Sequence, residues 1–259
     1  MKDVANKVGV HSSTVSRVLN PDTRKMMTEE IAEKILKVAA EMGYRPNAFA
    51  QSLKTNRSFT VGVMVPDLTN PAFAPIIKGI DNMLEAHGYS VIVANTYNLP
   101  DKQQSTAEKF RERHVDGLII ATAQRKDKLI EDCRREGTPF VQAVRASNDT
   151  DVSSVLSDEH IGGNMVISHL AQLGHKRIAY VAGPQFFSTG YERYQGFLQG
   201  MKNAGLKADK DLVVFCDEFS EEEGRHATSK LLAGRKKFTA VYAGNDIMAL
   251  GVYDELEAD

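Results

Sequence analysis

Two spacings of apolar residues divide this chain. Up to about residue 45 they recur every three or four positions, as on a helix face, and from residue 59 they gather into short continuous runs separated by amphipathic stretches. In the first region TEEIAEKILKVAAEM (28–42) predicts a helix. Thr28 stands at its N-cap, Glu29 and Glu30 favour the positive first turn, and Gly43 closes it with Pro46 just beyond. Ile31, Ile35, Val38 and Met42 fall on one face, which needs another helix to cover it. Upstream, Val4, Val8, Val10, Val15 and Val18 are spaced as anchors of two short helices. Ala5 is small enough for their close crossing, and Gly9 takes the left-handed turn between them cheaply, the pattern of a helix-turn-helix.

The runs that follow are TVGVMVP (60–66), YSVIVANT (89–96), VDGLIIAT (115–122), TPFVQAV (138–144), KRIAYVAG (176–183), DLVVFCD (211–217) and TAVYAGN (239–245). Continuous apolar strands alternating with helices predict parallel sheets covered on both faces. Between the first two runs Phe73, Ile76, Ile77, Ile80 and Leu84 share one helical face, and Gly88 stops the helix. Seven strands exceed one comfortable core, and the strandless stretch 160–175 marks a second sheet. The expected organisation is a head at 1–45, a hinge and linker at 46–58, a first α/β lobe at 59–157 and a second at 158–259.

Composition then narrows the classes. With 42% hydrophobic and 25% charged residues in 259, the chain is globular. It has no apolar run of the roughly 18 residues a membrane span needs, and MKDVANKVGV is too polar for a secretory signal, so the expected compartment is the cytoplasm with no membrane partner. Cys133 and Cys216 belong to no CxxC pair and read as reduced structural thiols, with no metal and no cofactor expected. The net charge of −2 hides a division: residues 1–57 hold ten Lys and Arg against six Asp and Glu, which leaves −6 for the rest. A basic head on an acidic body fits one module that meets nucleic acid.

Val15 and Val18 facing inward leave Ser12, Ser13, Ser16 and Arg17 outward on the second helix, with Thr14 beside them. Near a helix N-terminus such groups reach base edges in the major groove, where an arginine can bond guanine in bidentate fashion. Lys2, Lys7, Arg24 and Lys25 are candidate phosphate contacts.

The segments KDVANKVGVHSSTVSRVLN (2–20), GYRPNAFAQSL (43–53), VGVMVPDLTNPAF (61–73), HLAQLGHKRIAYVAGP (169–184), YERYQGF (191–197) and AGNDIMALG (243–251) together resemble the LacI/GalR family of bacterial transcription regulators. The resemblance implies a homodimer whose paired heads bind a near-palindromic operator in double-stranded DNA. It also implies hinge helices leading to a periplasmic-binding-protein-like body that holds a sugar or related small-molecule effector. Carried over to this sequence, it makes Ser12, Ser13 and Arg17 base readers and Asn20 a phosphate contact. It makes Asn47 to Leu53, including Gln51, the segment that folds on DNA, with Leu53 wedged into the minor groove. The loop after Asn20 is longer than the family pattern, and Ile31 and Ala32 stand where the family has a Thr-Arg pair, so a phosphate contact is expected to move to Arg24 or Lys25. Family members run on past GVYDELEAD, so the fold class expected is a helix-turn-helix head plus a C-terminally truncated two-lobed α/β body.

In such bodies ligands bind at the carboxyl ends of the strands, in the cleft between lobes. That places Asp67, Asn70 and Phe73 on one side, Arg193, Asn245 and Asp246 on the other, and Asn98 and Asp158 on the rim. Asp67, Asn70 and Asp246 also suit helix capping. Where the family often has an aspartate after the fourth body strand, this chain has Val144 and Arg145, which points to an anionic or less hydroxylated effector. The same scaffold serves solute receptors and enzymes. The head argues against a receptor, and the lack of GxGxxG, GxxxxGK[ST], HExxH and GxSxG motifs argues against an enzyme.

Overall fold

The computed structural model describes residues 1–44 and 57–258, and the chain divides into two compact units, Met1–Phe59 and Thr60–Asp259. The first holds α1 (Lys2–Val8), α2 (Ser12–Leu19), the single turn α3 (Pro21–Arg24) and α4 (Glu29–Glu41). Gly9 is left-handed with φ +79°, and its N–H and that of Val10 both donate to the Ala5 carbonyl, which ends α1 and starts the turn. Val4, Ala5, Val8, Val15, Val18, Ala32, Ile35 and Ala39 form the core.

That core keeps Ile35 at the centre of the face expected for α4 and shifts the rest. Ala32, Ile35 and Ala39 are buried, Ile31 and Val38 flank them, and Met42 is exposed, because a crossing this close selects small side chains. Ala32 is therefore a packing residue. Thr28 occupies the N-cap of α4 but its side chain makes no capping bond. At α2 the cap is His11, whose Nδ1 accepts from the Ser13 N–H at 3.3 Å.

The second unit has two parallel sheets. The first contains β1 (Thr60–Val65), β2 (Ser90–Asn95), β3 (Gly117–Ile120), β4 (Phe140–Ala143) and β5 (Ser154–Val155), in the order β2-β1-β3-β4-β5. Strand β5 was not expected, since its two residues are exposed and form no apolar run. Between the strands run α5 (Phe73–Glu85), α6 (Pro100–Glu112) and α7 (Lys128–Glu136). Along β1 the alternation separates the faces. Met64 joins Phe110 and Ile130 on one side, and Val63 and Val65 meet Phe73 on the other. On α5 only Phe73 is fully buried, and Ile76, Ile77 and Ile80 are partly so.

The second sheet has β6 (Ile178–Ala182), β7 (Val213–Phe215) and β8 (Ala240–Ala243) in the order β7-β6-β8. It is covered by α8 (Glu159–Gln172) and α9 (Ser188–Asn203) on one face and by α10 (Glu221–Ala233) and α11 (Asp246–Ala258) on the other. Helices α8 and α9 touch through glycines: a methyl at Gly196 would meet the His160 carbonyl oxygen, so this crossing has no room for a side chain. Tyr180 stacks between Phe197 and Tyr242 at 4.9 and 4.7 Å and fills the core beneath.

Candidate nucleic-acid interface and ligand cleft

In the head, Val15 and Val18 are fully buried beneath α2, and Ser13 and Arg17 lie exposed on the opposite side, with Ser12, Thr14 and Ser16 partly exposed between them. The side chain of Arg24 donates through Nε to the Val18 carbonyl at 2.8 Å, and Thr23 donates to the Arg17 carbonyl at 2.8 Å. Arg24 thus closes the C-terminal end of α2, where a cation suits the carbonyl dipoles, which competes with the phosphate contact expected of it. Lys7 forms a weak exposed pair with Glu41 at 3.8 Å. Asn47, Gln51 and Leu53 lie outside the described residues.

In the second unit a cavity of about 1030 Å³ extends from the carboxyl ends of the strands, where both lobes line it, along the outer edge of β8. The first lobe contributes Asn70, Phe73, Val144 and Arg145, and the second contributes Thr189, Arg193, Phe219, Asn245 and Asp246. The cavity continues between α8 and α11 past Met165, His169, Phe238, Tyr253 and Leu256. Of the eight expected effector residues, Asn70, Phe73, Arg193, Asn245 and Asp246 line it. Asp67, Asn98 and Asp158 do not. The Asp67 carboxylate accepts from the Thr69 N–H and hydroxyl, and Asp158 caps α8 by accepting from the Ile161 N–H at 2.8 Å. Asn245 combines both tasks, capping α11 by accepting from the Met248 N–H while lining the cavity, and Asn70 lines it while accepting from the Ala72 N–H in the turn before α5.

Arg193 is held by Glu159 through both carboxylate oxygens, at 2.6 and 2.9 Å, and donates to the Gly244 carbonyl at 2.6 Å. Burial opposes its charge, but Glu159 more than offsets that and keeps the guanidinium above its usual pKa. No spacing rule pairs residues 159 and 193, so Glu159 was missed in the sequence.

Arg145 was noticed only as a departure from the family pattern. Its side chain is buried, and it lies 3.7 Å over the Phe187 ring and donates through Nη1 to Asn98 Oδ1 at 2.7 Å. Burial, and then the positive charge of Arg193, lower its pKa to about 9, which still leaves it charged at neutral pH. The backbone that presents it is strained. Val144 has φ +66° and the Arg145 N–H reaches back to the Ala143 carbonyl, a tight three-residue turn that a β-branched residue adopts at a cost of about 1 kcal/mol or more. Tyr97 and Asn98 both have φ +56°, so the partner of Arg145 also sits on strained backbone. Thr189, missed entirely, lines the cavity with a buried hydroxyl that has no hydrogen-bond partner among the described residues.

The lobes are joined beside the cavity. Arg125 of the first lobe stacks 3.7 Å over the Tyr191 ring and donates to the Gln185 carbonyl, and its N–H donates to the Phe186 carbonyl at 2.9 Å. The Ala146 N–H donates to Ser188 Oγ at 2.9 Å. Among the described residues no three His, Cys, Asp or Glu side chains are grouped to hold a metal, and no helix is long and apolar enough to cross a membrane.

An outward polar face on an anchored helix in one unit, and a cleft lined by polar groups between parallel-sheet lobes in the other, fit a DNA-binding regulator with a ligand-binding body. Comparison with known proteins agrees. Residues 1–47 match the family described as bacterial regulatory proteins, lacI family, and residues 58–259 match the periplasmic binding proteins and sugar binding domain of LacI family. The chain belongs to the LacI family of bacterial regulatory proteins. It is 33% identical over 257 residues to the ribose operon repressor of Escherichia coli (strain K12), covering 99% of this chain and 77% of that protein. It is 34% identical over 255 residues to the transcriptional repressor PurR of Erwinia tasmaniensis, covering 97% and 73%. Among solved structures, the Lac repressor dimer bound to operator and the anti-inducer ONPF superimposes with a TM-score of 0.83 at 25% identity, over 99% of this chain and 76% of that one. The CelR–cellobiose complex does so with a TM-score of 0.72 at 29% identity, over 98% and 76%.

Proposed function

We propose that the protein is a repressor that binds a palindromic operator as a homodimer in the cytoplasm, and that a sugar or related metabolite in the interlobe cleft sets its DNA affinity. The observation that carries this reading is the pairing, in one chain, of the exposed α2 face with a cavity lined by polar groups from both lobes. Ser12, Ser13, Thr14, Ser16 and Arg17 read bases, and Asn20 meets phosphate. Asn47, Gln51 and Leu53 complete the contact from the hinge, in a domain order of head 1–45, hinge 46–58 and lobes 59–157 and 158–259. Asn70, Phe73, Arg193, Asn245 and Asp246 hold the effector, with Asp67, Asn98 and Asp158 supporting the loops around it. The effector acts by binding one lobe arrangement better than another, which shifts the population of DNA-competent heads.

The relatives named as repressors favour regulation over turnover. The test is selection of random DNA by the full chain with and without a panel of sugars, purines and sugar acids. A palindromic consensus whose retention changes with one compound is expected. Sequence-indifferent binding, or conversion of a compound by the protein, overturns the reading.

A further inference from the structure

We propose that the effector carries one carboxylate, a polyhydroxylated sugar acid whose anion is received by Arg145 and the Thr189 hydroxyl. The inference rests on the reading of the cleft as the effector site and adds the ligand's charge.

Two arginines reach this cavity and they are not equivalent. Arg193 has its counter-ion in Glu159. Arg145 is only 6% exposed, yet among the described residues no carboxylate forms an ion pair with it, and its side chain has the neutral amide of Asn98 and the face of the Phe187 ring as partners. A buried cation without an anion is costly, and proteins keep such groups where a ligand supplies the missing charge. Thr189 is independent of this. The residue is 4% exposed and lines the same cavity, and its buried hydroxyl has no partner among the described residues, although a buried hydroxyl left unbonded is destabilising. The two groups together offer a planar cation and a hydroxyl donor, the partners a carboxylate accepts from.

The pairing of charges narrows the anion. Arg193 is paired with Glu159 and Arg145 with no carboxylate among the described residues, while Asp246 in the lining brings these four charges to zero, so a ligand with one anionic group meets one unpaired cation and further negative charge would be repelled. That matches a monoanion and disfavours a dianionic phosphate. Asn70, Asn245 and Asp246 supply acceptors and donors for hydroxyls, and the rings of Phe73 and Phe219 supply a flat apolar wall for the sugar carbons.

The experiment has two parts, both on the full chain. Without ligand, Arg145→Met and Thr189→Val are each expected to raise the melting temperature, since the first removes a buried cation without a counter-ion and the second a buried hydroxyl without a hydrogen bond. A fall in both variants means the groups serve the fold, and overturns the proposal. In titration calorimetry with D-gluconate, D-glucuronate, D-glucose and D-glucose 6-phosphate, an acid is expected to bind best. Its affinity should fall about 100-fold in Arg145→Met and about 10-fold in Thr189→Val. Should Arg145→Met fail to fold, Thr189→Val alone decides. Tightest binding of glucose or its phosphate, binding of neither acid at millimolar concentration, or acid binding unchanged in the variants overturns the proposal. A neutral sugar whose binding is lost in Arg193→Ala but indifferent to Arg145→Met leaves the cleft as effector site and removes only the acid.

Discussion

The head and the cleft both concentrate polar side chains, but under opposite conditions. On α2 the serines and Arg17 stand in water, over a core that closes without them. In the cleft Arg145, Thr189 and Arg193 are wholly or partly withdrawn from water, and each must find a partner inside or in a ligand. A surface that reads DNA keeps its groups hydrated until contact, so changing them alters recognition and leaves the fold alone. Buried polar groups in a cleft tie recognition to stability.

That contrast can be broken at several places. The largest effect is expected in the head core, where Ile35→Ala removes a fully buried side chain and costs about 4 kcal/mol. A unit this small has little margin. The helical signal of residues 1–44 should vanish by circular dichroism and operator binding with it, while the body melts as before. In the body, Gly196→Ala forces a methyl against the His160 carbonyl and is expected to cost about 3 kcal/mol, lowering the body's melting temperature by roughly 6 to 12 °C in calorimetry. Arg17→Ala should leave both melts within about 0.5 kcal/mol of wild type. It should relax preference by about 2 kcal/mol at one base pair per half-site. An equal loss on every sequence would make Arg17 a phosphate contact.

The smallest effect concerns Cys216, buried at the end of β7, whose thiol burial pushes up to about 12. The unfolded thiol ionises near its ordinary value of 9.0 while the folded one keeps its proton, so this contribution is complete below pH 9 and is lost as pH rises towards about 12. Denaturant midpoints measured from pH 8 to 11 should fall less steeply in Cys216→Ala than in wild type.

Sequence periodicity captured what is local. The valines of α1 and α2, the Gly9 turn and seven of the eight strands follow from residues close in the chain. Three things escaped for different reasons. The face of α4 was found only in part, with Ile35 in the core and Ile31 and Val38 against it, because Ala32 and Ala39 carry its close packing and alanine is a weak mark of burial. Strand β5 pairs through its backbone, with exposed side chains that show no pattern. In the cleft, Glu159 and Arg193, like Arg145 and Asn98, meet only after folding, and neither pairing leaves a trace in spacing. The departure at Val144 and Arg145 was readable as an oddity, but its burial was not.

The strap across the lobes has an optical consequence. The chain contains no tryptophan, and Arg125 rests 3.7 Å from the ring of Tyr191, a partly exposed residue of the opposite lobe. Tyr191→Trp would therefore place a single indole beneath the guanidinium, where cation–π contact is strongest for that ring. Its emission would change whenever the lobes part or close. Lobe motion could then be timed in stopped flow, separately from any event on DNA.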